Sequence, residues 1–306
     1  MKAIEQFTAD FENIMKLSDD NLSNLRKDSF DEFTKSGLPT RKEEYWKYSD
    51  PSIISKFEFE LGTASKHDED EYDIILVNGN IVKASNGCKM GSIPDGINAG
   101  DITERLLEKK EKTFLNLNNA FTTNGLYVIL NENSKQTIKI LNLVNNEKAT
   151  QAVHPRIVVI ANRNSDSHIF EEIRIVGNGT NFINSVTEFF IKDGASVEHI
   201  IVDDYANDTY HVSNVCAKQS KDSNFTSHNF SMGKKFARRD FNIELNESGA
   251  NCNLFGLYLV DEENHIDHHT TIEHKDAHCN SNENYKGILS GKSTGVFNGR
   301  IHVHPN

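Results

Sequence analysis

Residues suited to metal chemistry are concentrated between positions 264 and 279, which hold five of the thirteen histidines. Imidazole, carboxylate and thiolate groups all bind transition metals. If this segment is a strand with Ile272 facing inward, its side chains alternate between two faces. The inward face then carries His268, Thr270 and His274, and the opposite face carries His265, Asp267, His269, Thr271 and Glu273. This split favours polar residues that hydrogen-bond to neighbouring strands, and a metal site in 265–279 is the alternative.

Other chemical motifs are weak or absent in the sequence. His302-Val-His304-Pro305 places two imidazoles on one face, but the acid and third histidine of a metal barrel do not follow. The nucleophile elbow GxSxG, the P-loop and GxGxxG do not occur. Gly177-Asn-Gly179 is a turn between strands, and no helix follows it to hold a phosphate. We therefore assign no catalytic, cofactor-binding or metal-binding residue.

The composition indicates a soluble protein with reduced thiols. Lys and Arg number 33 against 45 Asp and Glu, a net charge of −12, which disfavours nucleic acids and anionic membranes as partners. There is no apolar run long enough to span a bilayer and no secretory signal at the N-terminus. Four cysteines without a CxxC motif are typical of a cytoplasmic protein.

A short turn recurs through the second half of the chain. Each copy has four positions: a charged or small residue, a small residue, a polar residue, and an apolar residue that faces inward. The copies are 166–169, 194–197, 222–225, 249–252, 276–279 and 293–296, with a weaker copy at 135–138. The inward residues are Ile138, Ile169, Val197, Phe225, Cys252, Cys279 and Val296. Such a unit cannot bury its apolar face alone, but stacked copies form one continuous core.

The repeat predicts an all-β dominated fold, a right-handed parallel β-helix, with an antiparallel sandwich as the alternative. We place the N-terminal helical and mixed domain at 1–115 and the β-helix at 116–306. Cys252 and Cys279, one rung apart, would have Cα atoms roughly 5 Å from each other. A ladder of small buried residues is the favoured interpretation of this pair, and a disulfide is the alternative.

The N-terminal part contains helical and hairpin signals. Apolar spacing predicts helix over 7–36, with a cap at Ser18-Asp19-Asp20 and a stop at Gly37. Asn78-Gly79 predicts a type I′ hairpin, and 101–104 resembles a capping box. Residues 37–51 hold the only tryptophan, Trp46, between two prolines. We interpret them as an ordered loop packed on a neighbouring domain, with a ligand-binding loop as the alternative.

Two groups of motifs together resemble the SufD family of iron–sulfur cluster assembly proteins, within the SufB/SufD superfamily. Leu38-Pro-Thr-Arg-Lys-Glu-Glu-Tyr-Trp-Lys-Tyr48 resembles the N-terminal signature of that family. Four further segments resemble the core strands of that family, in order: His265-Ile-Asp-His-His-Thr-Thr-Ile-Glu-His274, Cys279-Asn-Ser281, Tyr285-Lys-Gly287 and Val296-Phe-Asn-Gly-Arg300. SufB shares the solenoid but differs in the N-terminal signature.

The resemblance implies a scaffold subunit, not an enzyme, in a complex with SufB and the ATPase SufC that builds iron–sulfur clusters. Family members continue beyond the last matching strand with further rungs, a Cys-x-His-Gly motif thought to supply cluster ligands, and SufC-binding helices. These are not in this sequence, so no residue inherits a ligand role. We expect the last rung before Asn306 to lack a cap of its own. Its open edge would then be covered by another chain or by self-association. The alternatives are a metal-dependent enzyme using 265–279 and a carbohydrate-active β-helix.

Overall fold

The computed structural model describes residues 2–17, 20–85, 87–103, 112–146, 148–204, 208–233 and 235–305. Its α-helices are α1 (Lys2–Leu17), α2 (Ser23–Ser36), α3 (Ile93–Asn98) and α4 (Thr113–Phe121), with 3-10 turns at Glu44–Trp46 and Pro51–Lys56. Its strands are β1 (Glu60–Leu61), β2 (Ile74–Val77), β3 (Asn80–Ala84), β4 (Lys89–Gly91), β5 (Leu126–Leu130), β6 (Lys135–Asn146), β7 (Thr150–Val153), β8 (Arg156–Ala161), β9 (Asp166–Gly177), β10 (Thr180–Ile191), β11 (Ser196–Asp204), β12 (Thr209–Gln219), β13 (Asn224–Met232), β14 (Phe236–Leu245), β15 (Asn251–Val260), β16 (His265–His274), β17 (Asn280–Leu289) and β18 (Thr294–Val303).

The strands form two facing sheets that the chain visits in turn. The first sheet runs β18-β16-β14-β12-β10-β8-β5-β4, with β7 also paired to β10 and β1 paired to β7. The second sheet runs β17-β15-β13-β11-β9-β6-β2-β3. Apart from the antiparallel β4–β5 pair, every described pairing from β5 onward is parallel, so each neighbour in a sheet is one full turn of the coil away. The predicted β-solenoid is confirmed, with about six turns.

A recurring left-handed residue makes the turn before each strand of the second sheet from β6 to β17. The positive φ angles fall at Asn133, Asn164, Gly194, Asp222, Gly249 and His278. Glycine and asparagine tolerate this conformation best. The next residue is small and buried in most copies, as at Ala195 and Ala250, because it faces the same residue of the adjacent rung. This is the physical basis of the repeat in the sequence.

The expected register is correct within two blocks, 138–169 and 197–252, and wrong between them and after Cys252. Ile138 pairs with Ile169. Val197 pairs with Phe225, and Phe225 pairs with Cys252. However, Cys252 pairs with Ser281, so Cys279 precedes the strand and the copy at 276–279 is displaced by two residues. Ile169 likewise pairs with His199, two residues from the expected Val197. Val296 belongs to the first sheet, opposite Asp267. A shift of two residues keeps each side chain on the same face, so alternation alone does not reveal it.

The corrected register also removes the basis for a Cys252–Cys279 disulfide. Cys252 is buried between the sheets and Cys279 lies in the turn before β17. All four cysteines are thiols in this structure. We therefore expect four thiols to react with a chromogenic disulfide reagent in denaturing, non-reducing buffer. A count of two would contradict the register of β15 and β17.

Several N-terminal predictions are confirmed. Helix is found over most of 7–36, and Gly37 ends α2 with φ 66° while its N–H donates to the Phe33 carbonyl. Asn78 and Gly79, with φ 51° and 81°, form the tight turn between β2 and β3. The capping-box prediction falls partly on 104–111, outside the described residues. Strands β2, β3 and β4 already join the two sheets, so sheet pairing begins well before residue 116.

The N-terminal helices pack on the outer face of the first sheet. Phe182 of β10 is fully buried there, with ring centroids 5.7 Å from Phe59, 6.1 Å from Phe7 and 6.1 Å from Phe114. The space between the two sheets holds a separate core of aliphatic residues and phenylalanine. The first sheet is therefore buried on both faces wherever the helices cover it. None of the helices in the described ranges is long and apolar enough to cross a membrane.

Candidate functional site

The tryptophan loop of residues 38–51 lies against the outer face of β14 and β16. Trp46 is only 7% exposed, and the Arg238 guanidinium lies 3.9 Å from its ring centroid and 4.5 Å from that of Tyr45. Stacking of a desolvated guanidinium on aromatic faces is a favourable cation–π contact. The prediction of an ordered loop packed on a neighbouring region is confirmed. We call this contact the loop–sheet interface; it comprises Tyr45, Trp46, Ser49, Arg238, Asp240, His265, Asp267 and His269.

Arg238 is the charged centre of the loop–sheet interface. Its guanidinium lies 3.0 Å from Asp240 and 3.2 Å from Asp267, and it donates to the Tyr45 carbonyl at 2.7 Å. Asp267 is its direct neighbour on the adjacent rung. Burial alone would raise the pKa of Asp240, but the charges of Arg238 and Lys112 together with the hydrogen bond from Arg238 outweigh burial and hold that pKa below its usual range. Asp240 therefore stays ionised beside a buried cation.

Ser49 joins the loop to β16 by two hydrogen bonds. Its fully buried hydroxyl donates to Asp267 Oδ2 at 2.5 Å and accepts from His265 Nε2 at 2.7 Å. Burial lowers the pKa of His265, whose ring stacks on Phe236. In a hydrolytic triad the acid orients the histidine, whereas here Asp267 contacts the serine directly. With Ser49 inaccessible, this arrangement holds the loop in place.

Tyr45 adds a second polar contact at the other end of the loop. Its hydroxyl donates to Asp240 at 3.2 Å and accepts from Lys112 Nζ at 2.8 Å. Burial, reinforced by the Asp240 charge, raises the pKa of Tyr45. The ring meets His269 edge to face, with centroids 4.9 Å apart. Tyr45 is therefore a neutral donor throughout the physiological range.

The inward face of β16 belongs to a different network, inside the solenoid. His268 Nδ1 lies 3.1 Å from Asn229 Nδ2, and Arg239 pairs with Asp203 at 2.8 Å. Thr270 and Ile272 are buried on the same side. The predicted split of the histidine-rich strand into two faces is confirmed: His265, Asp267 and His269 face the tryptophan loop, and His268 faces inward.

The sheet therefore separates the histidines that a single metal site would need to bring together. Among the described residues, no group of three or more His, Cys, Asp and Glu is placed to hold a metal ion. His302 and His304 do stack, with centroids 4.4 Å apart, and His304 Nε2 lies 3.6 Å from Glu273 on the preceding rung. This acid was missed in the sequence because it lies 31 positions before His304.

Sequence reasoning also missed the partners that β14 supplies. Arg238, Arg239 and Asp240 are consecutive charged residues in an otherwise strand-like segment, and all three are buried. Charged residues are seldom buried unless they are paired. Three consecutive charged residues within the predicted β-helix were the available signal that this segment has buried ionic partners.

Buried neutral histidines predict a loss of stability in acid. Burial lowers the pKa of His154, His211 and His268 to about 3, whereas an unfolded histidine has a pKa of about 6.5. Below pH ~6.5 the unfolded chain binds more protons than the folded chain. The free energy of unfolding therefore has its full value above that pH and falls as the pH drops toward 3. Each histidine should contribute about 1.4 kcal/mol per pH unit over that window.

Urea unfolding measured from pH 7.5 to 4.5 tests this expectation. His211→Asn should reduce the slope of the unfolding free energy against pH by about 1.4 kcal/mol per pH unit, which is the contribution of one proton. His168→Asn, at a position whose side chain is 54% exposed, is the matched control and should change the slope less than His211→Asn does, because an exposed imidazole is hydrated in the folded and the unfolded chain alike. An unfolding free energy that is constant down to pH 5 would contradict the prediction.

Two protein-family models match the chain, and they cover the two sides of the loop–sheet interface. A model described as the SufBD protein N-terminal region matches residues 1–73. A model described as SUF system FeS cluster assembly, SufBD core domain, matches residues 142–306. The tryptophan loop lies in the first segment, and β14 and β16 lie in the second.

Similar proteins are found in several organisms. An iron–sulfur cluster assembly SufBD family protein of Synechocystis is 22% identical over 93% of the chain. The iron–sulfur cluster assembly protein SufD of Escherichia coli is 23% identical over 88% of the chain, and SufD of Plasmodium falciparum is 23% identical over 57%. The chain spans 70%, 67% and 12% of the lengths of the Synechocystis, Escherichia coli and Plasmodium proteins, respectively.

Proposed function

Because the chain belongs to the SufBD family of iron–sulfur cluster assembly proteins, we propose that it is a non-enzymatic scaffold subunit that acts with a SufB-like subunit and a SufC-like ATPase. Family membership supports a role in iron–sulfur cluster assembly. One observation carries the scaffold proposal: the two family-matched segments interlock through Arg238, Trp46 and Ser49. Such an interface fixes the N-terminal region on the solenoid as one rigid platform.

The chemistry of the loop–sheet interface supports a structural role. The side chains are almost fully buried: each of Ser49, Asp267 and Arg238 is at most 1% exposed. A nucleophile or general base must be reached by its substrate, whereas these groups are enclosed and contact one another. In this proposal the cluster is the cargo of a cytoplasmic complex, and no residue of this chain is assigned as its ligand.

The last strands of the two sheets provide a surface for a partner subunit. Among the described residues, β17 and β18 each pair with a strand on one side only, and they expose apolar side chains at Ile288, Leu289, Phe297, Ile301 and Val303. Open strand edges with apolar side chains readily pair with another chain. We assign this surface to the SufB-like subunit, with a second copy of this chain as the competing occupant.

Co-purification with a tagged SufB-like subunit, with and without the SufC-like ATPase, tests the proposal. We expect the unaltered chain to be retained and Ile301→Lys combined with Val303→Lys to lower retention at least tenfold. Phe230→Lys combined with Met232→Lys places the same two charges at exposed positions two residues apart on β13, and should leave retention unchanged. Failure of the unaltered chain to bind would contradict the scaffold proposal. Light scattering that detects only dimers of this chain would favour self-association.

A further inference from the structure

The inward side chains of β17 and β18 form an end face, where the core between the two sheets reaches the surface. Residues in register on parallel neighbours face the same way, so the inward positions are the odd numbers from 281 to 289 and from 295 to 303. They include the exposed apolar residues Leu289, Phe297, Ile301 and Val303 and a single charged residue, Glu283. Among the described residues no further strand stacks on this end face.

Glu283 is half-buried, and its two carboxylate oxygens differ in their surroundings. Oε1 is sealed from solvent and has no hydrogen-bond partner among the described residues. Oε2 lies beside Gly299 of β18: a Cβ added to that glycine would be 2.9 Å from Oε2 and 3.3 Å from the Phe297 ring. Gly299 and Phe297 are both exposed, so the absence of a side chain at Gly299 leaves Oε2 at the open side of the core.

The charge of Glu283 has no counter-charge in the part of the chain that the structure describes. Burial raises the pKa of Glu283, and no cation is among the groups that act on it. The titratable groups that face it are Tyr285 on the same strand and Cys252 on β15. Burial raises the pKa of both, so neither is charged at neutral pH. Water at the open side is therefore what hydrates the carboxylate in the isolated chain, and covering the end face would remove that water.

Other carboxylates between the two sheets show how the solenoid compensates such a charge. Glu171 of β9 lies 3.2 Å from His199 of β11, and Asp203 of β11 lies 2.8 Å from Arg239 of β14. In both pairs the basic side chain comes from a strand that follows along the stack. For Glu283 the corresponding position belongs to whatever covers the end face.

We propose that the subunit docked on the end face presents an arginine or lysine that pairs with Glu283. This inference rests on the proposed function, which places a SufB-like subunit there, and it names the chemistry by which that subunit is recognised. A second copy of this chain fits less well, because its own end face offers the same carboxylate and no Lys, Arg or His at an inward position. Docking removes the remaining water around Glu283, and charged residues are seldom buried unless they are paired.

The affinity of the full chain for a SufB-like subunit, measured by isothermal titration calorimetry, tests this pairing. Glu283→Gln keeps the shape of the side chain and removes its charge, and it should weaken binding at least tenfold. Glu263→Gln, the same change on a side chain that is 78% exposed, should alter the affinity less than twofold. In the isolated chain Glu283→Gln should leave the urea midpoint unchanged or raise it, because an unpaired half-buried charge is removed. A residue that only stabilises the fold would not weaken binding while sparing the midpoint.

Equal affinities of the unaltered chain and Glu283→Gln would overturn the pairing and leave the scaffold proposal intact, whereas failure of the unaltered chain to bind would overturn both. Uptake of a proton is the other way to neutralise Glu283 on docking. It would make the affinity of the unaltered chain rise at least fivefold from pH 8 to pH 6, and that rise would also overturn the pairing, which predicts none. This comparison uses the unaltered chain, so it decides if Glu283→Gln does not fold.

Discussion

Replacing Arg238 with methionine should lower the free energy of unfolding by about 3–5 kcal/mol, the range for a buried ion pair that loses one partner. The substitution leaves Asp240 and Asp267 buried without their cation and removes the donor to the Tyr45 carbonyl. It also removes the guanidinium that stacks on Trp46. Since Trp46 is the only tryptophan, its fluorescence during urea unfolding reports directly on the interface.

The matched control is Arg163→Met. Arg163 pairs with Asp193 at 3.0 Å, but the two side chains are 61% and 43% exposed. An exposed pair contributes at most about 1 kcal/mol. Combining Arg238→Met with Asp267→Asn should recover part of the loss, because one of the unpaired charges is then removed. A loss below about 1 kcal/mol for Arg238→Met alone would mean that the loop–sheet interface does not stabilise the fold.

Phe182→Ala should have a comparable effect, about 3–5 kcal/mol, because the truncation leaves a cavity in an aromatic cluster. Phe182 joins rings from α1, from the segment before β1 and from α4 to strand β10. The substitution should therefore lower the stability of the N-terminal region and the solenoid together. Circular dichroism of the sheets and Trp46 fluorescence should show one coincident unfolding transition.

Phe230→Ala provides the comparison for Phe182→Ala. Phe230 lies on the outer face of β13 and is 40% exposed, so its truncation should cost under about 1 kcal/mol. Equal losses for the two phenylalanines would contradict the packing of the helices on the first sheet. Two separate transitions, with fluorescence changing before circular dichroism, would show that the N-terminal region unfolds independently.

The sequence by itself determined the solenoid and the faces of its strands. Alternation around Ile272 correctly separated His268 from His265 and His269, because the direction of successive side chains is a local property of an extended chain. The sequence also predicted the Asn78-Gly79 turn correctly, since positive φ at two consecutive positions favours residues of these types. The family resemblance rested on the same two segments that the family models match.

Only the tertiary structure decided the register and the partners of the buried charges. A displacement of two residues at Cys279 leaves every side chain on its expected face, so only packing against the adjacent rung selects the pairing with Ser281. Ser49 and Asp267 are 218 positions apart, and local spacing carries no information on such a contact. The desolvation cost of Arg238 selects this arrangement, because the folded chain must bring carboxylates to a buried cation.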